Sequence, residues 1–160
     1  MTCFVPAYDT EKPVDCLEAC RTITQVHHER GVPATFFVVG RLLEDERDLC
    51  KELLDEPTLF EVASHTYSHK LLRDHAVCGP AVDDREIRHQ IYRSKELVEE
   101  VFGRECLGLR PACAFDVGLK GAPALVAEMV AAGLKYVSSR AWGPHCTVPA
   151  PLAGAGRANA

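Results

Sequence analysis

The sequence has the size and balance of one globular domain. Its 160 residues are 47% hydrophobic and 26% charged, which excludes a disordered or fibrous chain. Its 18 lysines and arginines and 23 aspartates and glutamates give a formal net charge of −5, which argues against a nucleic-acid partner because such surfaces are basic. No apolar run approaches the roughly 20 residues that span a bilayer, and no secretory signal is visible at the start. We therefore predict a cytoplasmic protein with no nucleic-acid and no membrane partner.

Short apolar runs alternate with amphipathic stretches along the chain. The predicted strands cover Phe4–Tyr8, Ala34–Val39, Phe60–Ala63, Cys106–Arg110 and Lys135–Ser139. The predicted helices cover Val14–Arg30, Leu42–Asp55, Asp83–Phe102 and Ala122–Ala132. Strands that alternate with helices in this way predict an α/β fold with a parallel sheet and helical crossovers. Residues 1–145 are predicted to form this domain, and residues 146–160, which lack periodicity and apolar bulk, a disordered tail.

The eight cysteines are predicted to be reduced thiols, most of them buried. No CxxC spacing occurs, so the basic pattern of a zinc ribbon or a thioredoxin-like site is missing. A chain of this size and apolar content also needs no disulfide framework. Free cysteine usually behaves as a small hydrophobic residue.

Charged groups and imidazoles stand at the ends of three predicted strands. Asp9 and Glu11 follow the first strand, His65 and His69 follow the third, and Arg110 ends the fourth. The carboxyl ends of parallel strands meet at one edge of the sheet, where active sites of such folds lie. We therefore expect these side chains to lie close together.

The spacing His65-x3-His69 allows two imidazoles to bind one metal ion. Two histidines and one carboxylate would leave coordination positions open, which is typical of a catalytic divalent metal. The competing interpretation is that both histidines are ordinary polar loop residues. Arg110 is likewise either an ordinary surface arginine or the group that orients Asp9 and keeps it charged. The pair His27-His28 is predicted to be solvated, or favoured by the helix dipole in the charged last turn of its helix.

Two segments resemble the polysaccharide deacetylase family, whose domain is also called the NodB homology domain. Residues 34–40 read ATFFVVG and residues 61–69 read EVASHTYSH, and the resemblance extends in matching order from about Phe4 to Ser139. It implies an α/β fold, a distorted (β/α) barrel with a divalent metal, expected to be zinc, at its mouth. It also implies hydrolysis of the amide bond of an N-acetylated carbohydrate.

The family's functional residues can be carried over one by one. Asp9 resembles the catalytic base, His65 and His69 resemble the two metal-binding histidines, and Arg110 resembles the arginine of the third motif. Many members have two adjacent aspartates in the first motif, where this chain has Asp9-Thr10-Glu11. We take Glu11 as the third metal ligand by analogy with members whose acids are one residue apart.

Two departures from the family pattern concern the rest of the site. The third motif reads Arg110-Pro111-Ala112-Cys113 in place of Arg-x-Pro-Tyr, which changes a wall of the substrate groove. The family's last strand carries a histidine that acts as general acid, and we expect it beyond residue 160, with His145 as a stand-in candidate. The resemblance therefore predicts an incomplete barrel, truncated at the carboxyl end, whose open edge favours self-association.

Three functions stay open at this point. The first is deacetylation of an N-acetylated carbohydrate. The second is hydrolysis of a small amide substrate, a cyclic amide or a ureide, by the same fold. The third is a non-catalytic remnant that binds a glycan or a partner chain. The sequence does not separate these three functions, because substrate choice depends on loops rather than on the fold.

Overall fold

The computed structural model describes residues 6–115 and 117–140. Its strands are β1 (Ala7–Thr10), β2 (Ala34–Val38), β3 (Phe60–Ser64), β4 (Gly108–Leu109) and β5 (Tyr136–Val137). Its helices are α1 (Pro13–Arg30), α2 (Gly40–Asp45), α3 (Arg47–Leu54), α4 (Asp84–Phe102) and α5 (Pro123–Ala131). Each strand is followed in the chain by at least one helix until β5 is reached.

All strand pairs of the sheet are parallel, and the spatial order β1-β2-β3-β4-β5 equals the chain order. Because crossovers between parallel strands are right-handed, this order places the helices on one face of the sheet, as in a (β/α) barrel. The parallel α/β architecture predicted from the sequence is confirmed. Among the described residues β1 and β5 are each paired on one side only, and self-association through an open edge stays a prediction.

Strand β2 lies in the middle of the core. All its residues are buried, which confirms the prediction from its continuous apolar run. The largest cluster packs between the sheet and helices α1 to α4, and its fully buried members include Phe36, Val38, Leu43, Leu54 and Leu97. A second cluster joins helices α4 and α5 to β4. The face of the sheet that the helices cover is therefore filled by apolar side chains, and we look for a functional site outside this packed layer.

The predicted bounds of several elements were wrong. Strands β4 and β5 each have two residues where five were predicted, and β1 and the second predicted helix also differ. Asp9 and Thr10 belong to β1, because they pair with Phe37 and Val38 of β2 and this pairing outweighs the weak strand propensity of aspartate. The single helix predicted over Leu42–Asp55 is divided at Glu46, whose φ of −127° leaves the helical region. Helix α2 packs against α4, whereas α3 packs against both α1 and α4, so the two halves of the predicted helix have different neighbours.

The prediction that His27 is solvated was also wrong. His27 is buried, and its Nδ1 lies 2.6 Å from the carbonyl oxygen of Val32, to which it donates. Its Nε2 then accepts a hydrogen bond from the hydroxyl of Tyr8, whose oxygen lies 2.9 Å from that nitrogen. The imidazole thus ties the end of α1 to β1, whereas His28 is exposed as predicted.

Cys16, Cys20, Cys50, Cys78 and Cys106 are free thiols. Burial raises the pKa of Cys50 to about 12 and that of Cys106 to about 11, so both stay protonated at neutral pH. Cys20 is also buried, while Cys78 is exposed. None of the described helices combines the length and apolar character needed to cross a membrane. The predicted tail, residues 146–160, lies outside the described residues.

Candidate active site

A cluster of three potential metal ligands lies at the carboxyl ends of β1 and β3. Glu11 follows β1, and His65 and His69 lie in the loop that follows β3. Glu11 Oε1 lies 3.5 Å from His65 Nε2 and 3.4 Å from His69 Nε2. One ligand atom from each of the three residues lies within 4.8 Å of the other two. The structure therefore brings together the three residues that the sequence analysis named as ligands.

His65 has the protonation pattern of a metal ligand. Its Nδ1 lies 2.8 Å from the carbonyl oxygen of Arg110, and because a carbonyl can only accept, Nδ1 carries the proton. In the neutral imidazole the lone pair is then on Nε2, which is buried and has no hydrogen-bond partner among the described residues. A buried acceptor without a partner is costly, and a cation held between Nε2 and Glu11 would satisfy it. The donor set, two imidazoles and a carboxylate, is one that Zn²⁺ accepts.

His69 completes the cluster from a strained turn. Its ring centroid lies 4.7 Å from that of His65. Its φ is 56°, and that of Thr66 is 64°, in the left-handed region that side chains other than glycine rarely adopt. Burial and the neighbouring His65 imidazole lower the pKa of His69, although Glu11 and Asp9 oppose this effect. The neutral imidazole, which is the form that binds metal, is therefore favoured.

Asp9 lies beside this cluster and is oriented by Arg110. Its Oδ1 accepts a hydrogen bond of 2.6 Å from an Nη of Arg110, and its Oδ2 lies 4.0 Å from His65 Nε2. Arg110 also donates from Nε to Ser138 Oγ at 3.1 Å. Its guanidinium lies 4.1 Å from the centroid of the Phe37 ring, a cation–π contact. The carboxylate of Asp9 is therefore held in one orientation next to the candidate metal ligands.

Thr10, which stands where many family members have the second aspartate, faces away from this cluster. It is 1% exposed, and its Oγ1 lies 3.8 Å from Cys20 Sγ of helix α1. The side chains of Asp9 and Glu11 lie on the other side of the chain. Of the two positions, it is therefore residue 11 that contributes a carboxylate to the cluster.

Sequence reasoning missed three residues that support the site. Phe37 pairs with Asp9 in the sheet register and so shares its face, but the uniformly apolar run of β2 hides which residues face the site. Ser138 follows the short strand β5 and has no signal of its own. Gln90 is a polar residue that is completely buried in α4, and its position within an otherwise amphipathic helix is the only sequence signal. The general-acid candidate His145 lies outside the described residues.

The third-motif segment also has an unusual backbone. Cys113 has a φ of 61° and Ala114 a φ of 41°. These two successive left-handed residues form a tight turn that begins two residues after Pro111. The departure from the family motif thus reaches the first residue of this turn, three residues after Arg110.

Comparison with known proteins identifies the family. Residues 8–137 match the polysaccharide deacetylase family, so the chain belongs to the polysaccharide deacetylase family. A chitooligosaccharide deacetylase of Rhizobium leguminosarum bv. phaseoli is 35% identical over 77 residues, which are 48% of this chain and 30% of that relative.

Solved structures share the fold. A wild-type pseudoenzyme of carbohydrate esterase family 4 from Bacillus anthracis superposes with a TM-score of 0.64 at 18% identity, covering 83% of this chain and 42% of that one. A family 4 acetyl xylan esterase from Clostridium thermocellum, in complex with a cobalt ion, gives a TM-score of 0.50 at 18% identity and covers 68% and 48%. The chain spans less than half of the length of each of these relatives. The likeness confirms the predicted α/β fold of the deacetylase type.

Proposed function

We propose that this chain is a metal-dependent deacetylase that hydrolyses the amide bond of an N-acetylated carbohydrate. The observation that carries the proposal is the cluster of Glu11, His65 and His69 with the oriented carboxylate of Asp9 beside it. Family membership and the relative named a chitooligosaccharide deacetylase support the reaction and the substrate class.

Glu11, His65 and His69 would hold one divalent ion, which we propose to be zinc. The unpaired Nε2 of His65 supports this assignment, as does the cobalt ion bound by the acetyl xylan esterase. When bound, such an ion polarises a carbonyl group and lowers the pKa of bound water to about 7. Three protein ligands leave positions open for substrate and water.

Asp9 would act as the general base. Because Arg110 binds Oδ1, Oδ2 is the oxygen that lies towards His65 Nε2 and can accept the proton of the attacking water. A base that is already oriented contributes typically 10²–10⁴-fold to the rate of proton transfer steps. Arg110 therefore positions the base and does not itself touch the reacting atoms in this proposal.

Protonation of the leaving amine completes the reaction. No residue in 6–115 or 117–140 is assigned to this step. The stand-in candidate named in the sequence analysis, His145, lies outside the described residues. The roles proposed for Asp9, Arg110 and the metal ligands do not depend on which residue protonates the amine.

The experiment measures acetate release from N-acetylated chitooligosaccharides by the purified chain, together with its metal content. We expect about one divalent ion per chain, and hydrolysis that is lost in Asp9→Asn while the metal is retained. Asp48→Asn is the matched control, because Asp48 is exposed on α3 and should leave both quantities unchanged.

Three outcomes would contradict the proposal. Hydrolysis that persists in Asp9→Asn would exclude Asp9 as the base. Turnover of a small cyclic amide or a ureide without acetate release would assign the alternative substrate class. Metal binding without turnover of either substrate would leave a protein that binds a glycan or a partner without hydrolysis.

A further inference from the structure

Gln90 connects helix α4 to the loop that carries both histidines. It is 0% exposed, and a fully buried amide needs hydrogen-bond partners. Its Oε1 accepts from the backbone N–H of Ser68 at 2.8 Å, and its Nε2 donates to Ser68 Oγ at 2.8 Å. Its carbonyl oxygen accepts from the N–H of Tyr67 at 3.0 Å. The two residues that immediately precede His69 are therefore bonded to this one glutamine.

The other contacts of the loop fix its beginning rather than its end. The carbonyl oxygens of Thr66 and Tyr67 accept from the N–H groups of Gly40 and Arg41 at 2.9 and 2.7 Å. These bonds hold the part of the loop next to His65, which directly follows β3 and donates its N–H to the carbonyl oxygen of Val38 at 2.9 Å. The part next to His69 depends on the side chain of Gln90, since Ser68 is bonded to it through both its N–H and its hydroxyl.

Glu86 and Lys70 extend this contact to the other side of His69. Gln90 Nε2 also donates to Glu86 Oε1 at 2.8 Å, and Lys70, the residue after His69, lies 2.9 Å from the same oxygen. Hydrogen bonds from Lys70 and Gln90 lower the pKa of Glu86, so the carboxylate stays an acceptor. His69 is thus flanked on both sides by residues tied to the first turns of α4.

We propose that Gln90 is a positioning residue: it fixes His69 relative to His65 and thereby sets the metal affinity of the site. This inference rests on the proposed metal-dependent function. Partners that orient metal ligands in other proteins change metal affinity by about 10–100-fold when they are removed. The left-handed φ of 56° at His69 is the strain that such a partner has to maintain, because a backbone in this region returns to a commoner conformation when it is released.

The test compares variants of the full chain by two readouts other than turnover. The first is the dissociation constant for Zn²⁺ by competition with a chromophoric chelator, with the Co²⁺ absorption spectrum as a measure of ligand geometry. The second is hydrogen exchange of the Ser68 amide in metal-free protein. Gln90→Leu keeps the volume and removes the amide, and Val98→Ala is the matched control, because Val98 is fully buried two turns further along α4 and belongs to the apolar core.

Gln90→Leu should weaken Zn²⁺ binding by about 10–100-fold, alter the Co²⁺ spectrum and speed exchange of the Ser68 amide by about tenfold or more. Val98→Ala should destabilise the fold but leave Zn²⁺ affinity within about twofold of wild type. Gln90→Glu should also weaken binding, since it loses both donors and faces Glu86.

The results that would overturn the inference are distinct from those that would overturn the proposed function. Normal Zn²⁺ binding by Gln90→Leu, or equal losses in Gln90→Leu and Val98→Ala, would overturn the inference while wild type still binds metal. If wild type itself binds no metal, the proposed function fails and the inference fails with it.

Discussion

Thr10→Asp would recreate the pair of adjacent aspartates that many family members carry, yet we expect it to destabilise this chain without strengthening metal binding. Thr10 is 1% exposed and contacts Cys20 on α1, so the introduced carboxyl group would be buried on the helix side of the sheet. The candidate metal ligands lie on the other side, around Glu11. The substitution therefore places a charge in the core and not in the site.

The size of the effect follows from the cost of ionising a buried carboxyl group. Full burial raises the pKa of such a group by about 3 units from about 3.9. The folded state then retains a proton that the unfolded state has lost, so the free energy of unfolding falls as the pH rises above about 4, by about 1.4 kcal/mol per pH unit. At pH 7 the loss reaches about 4 kcal/mol, a large part of the 5–15 kcal/mol typical of a domain.

Urea unfolding of Thr10→Asp and Thr10→Asn, both in the presence of a chelator, measures this loss. Thr10→Asn is the matched control, since it has the same shape and polarity without the charge. The difference between the two variants should be close to zero near pH 4 and grow to about 3–4 kcal/mol at pH 7. A difference that does not change with pH, or tighter Zn²⁺ binding by Thr10→Asp, would refute the reasoning and make residue 10 the ligand position.

Two further predictions concern the candidate ligand Glu11 and the contact between Gly108 and Tyr136. Glu11→Gln keeps the shape but removes the charge of a ligand, so it should weaken Zn²⁺ binding by about 100-fold or more in a competition titration; unchanged affinity would end its assignment as a ligand. Gly108→Ala should cost about 1–3 kcal/mol in urea unfolding, because a Cβ at Gly108 would lie 2.6 Å from Tyr136 Cε1 and closer still to the end of that ring. Tyr136→Ala in the same chain should remove most of this additional cost, and strictly additive losses would contradict the steric explanation.

The order of the elements and the location of the site could be predicted from the sequence because both depend on local signals. Strand β2 is a continuous apolar run, and the glycines at positions 31 and 103 end α1 and α4 with left-handed caps. A parallel sheet in chain order brings its carboxyl ends together, so His65, His69 and Asp9 could be placed at one edge from their positions after strands. The two ends of the Asp9–Arg110 contact, 101 residues apart in the chain, could be linked by the same argument.

The bounds of some elements could not be predicted, since they depend on packing between distant parts of the chain. The division of the second predicted helix at Glu46 gives its two parts different neighbours, α4 for α2 and both α1 and α4 for α3. The burial of His27 follows from its contacts with Tyr8 and Val32. None of these contacts can be recognised from the local periodicity of the sequence.

The sequence by itself determined the fold class, the family and the residue types of the site, because apolar periodicity, turn residues and short motifs are properties of neighbouring positions. Only the tertiary structure decided that Glu11 and not Thr10 faces the histidines, and that Gln90 holds the loop between them. The direction of a side chain at the end of a strand depends on the register with β2, and the partners of a buried amide depend on how α4 packs against that loop. Both are set by contacts between segments far apart in the chain.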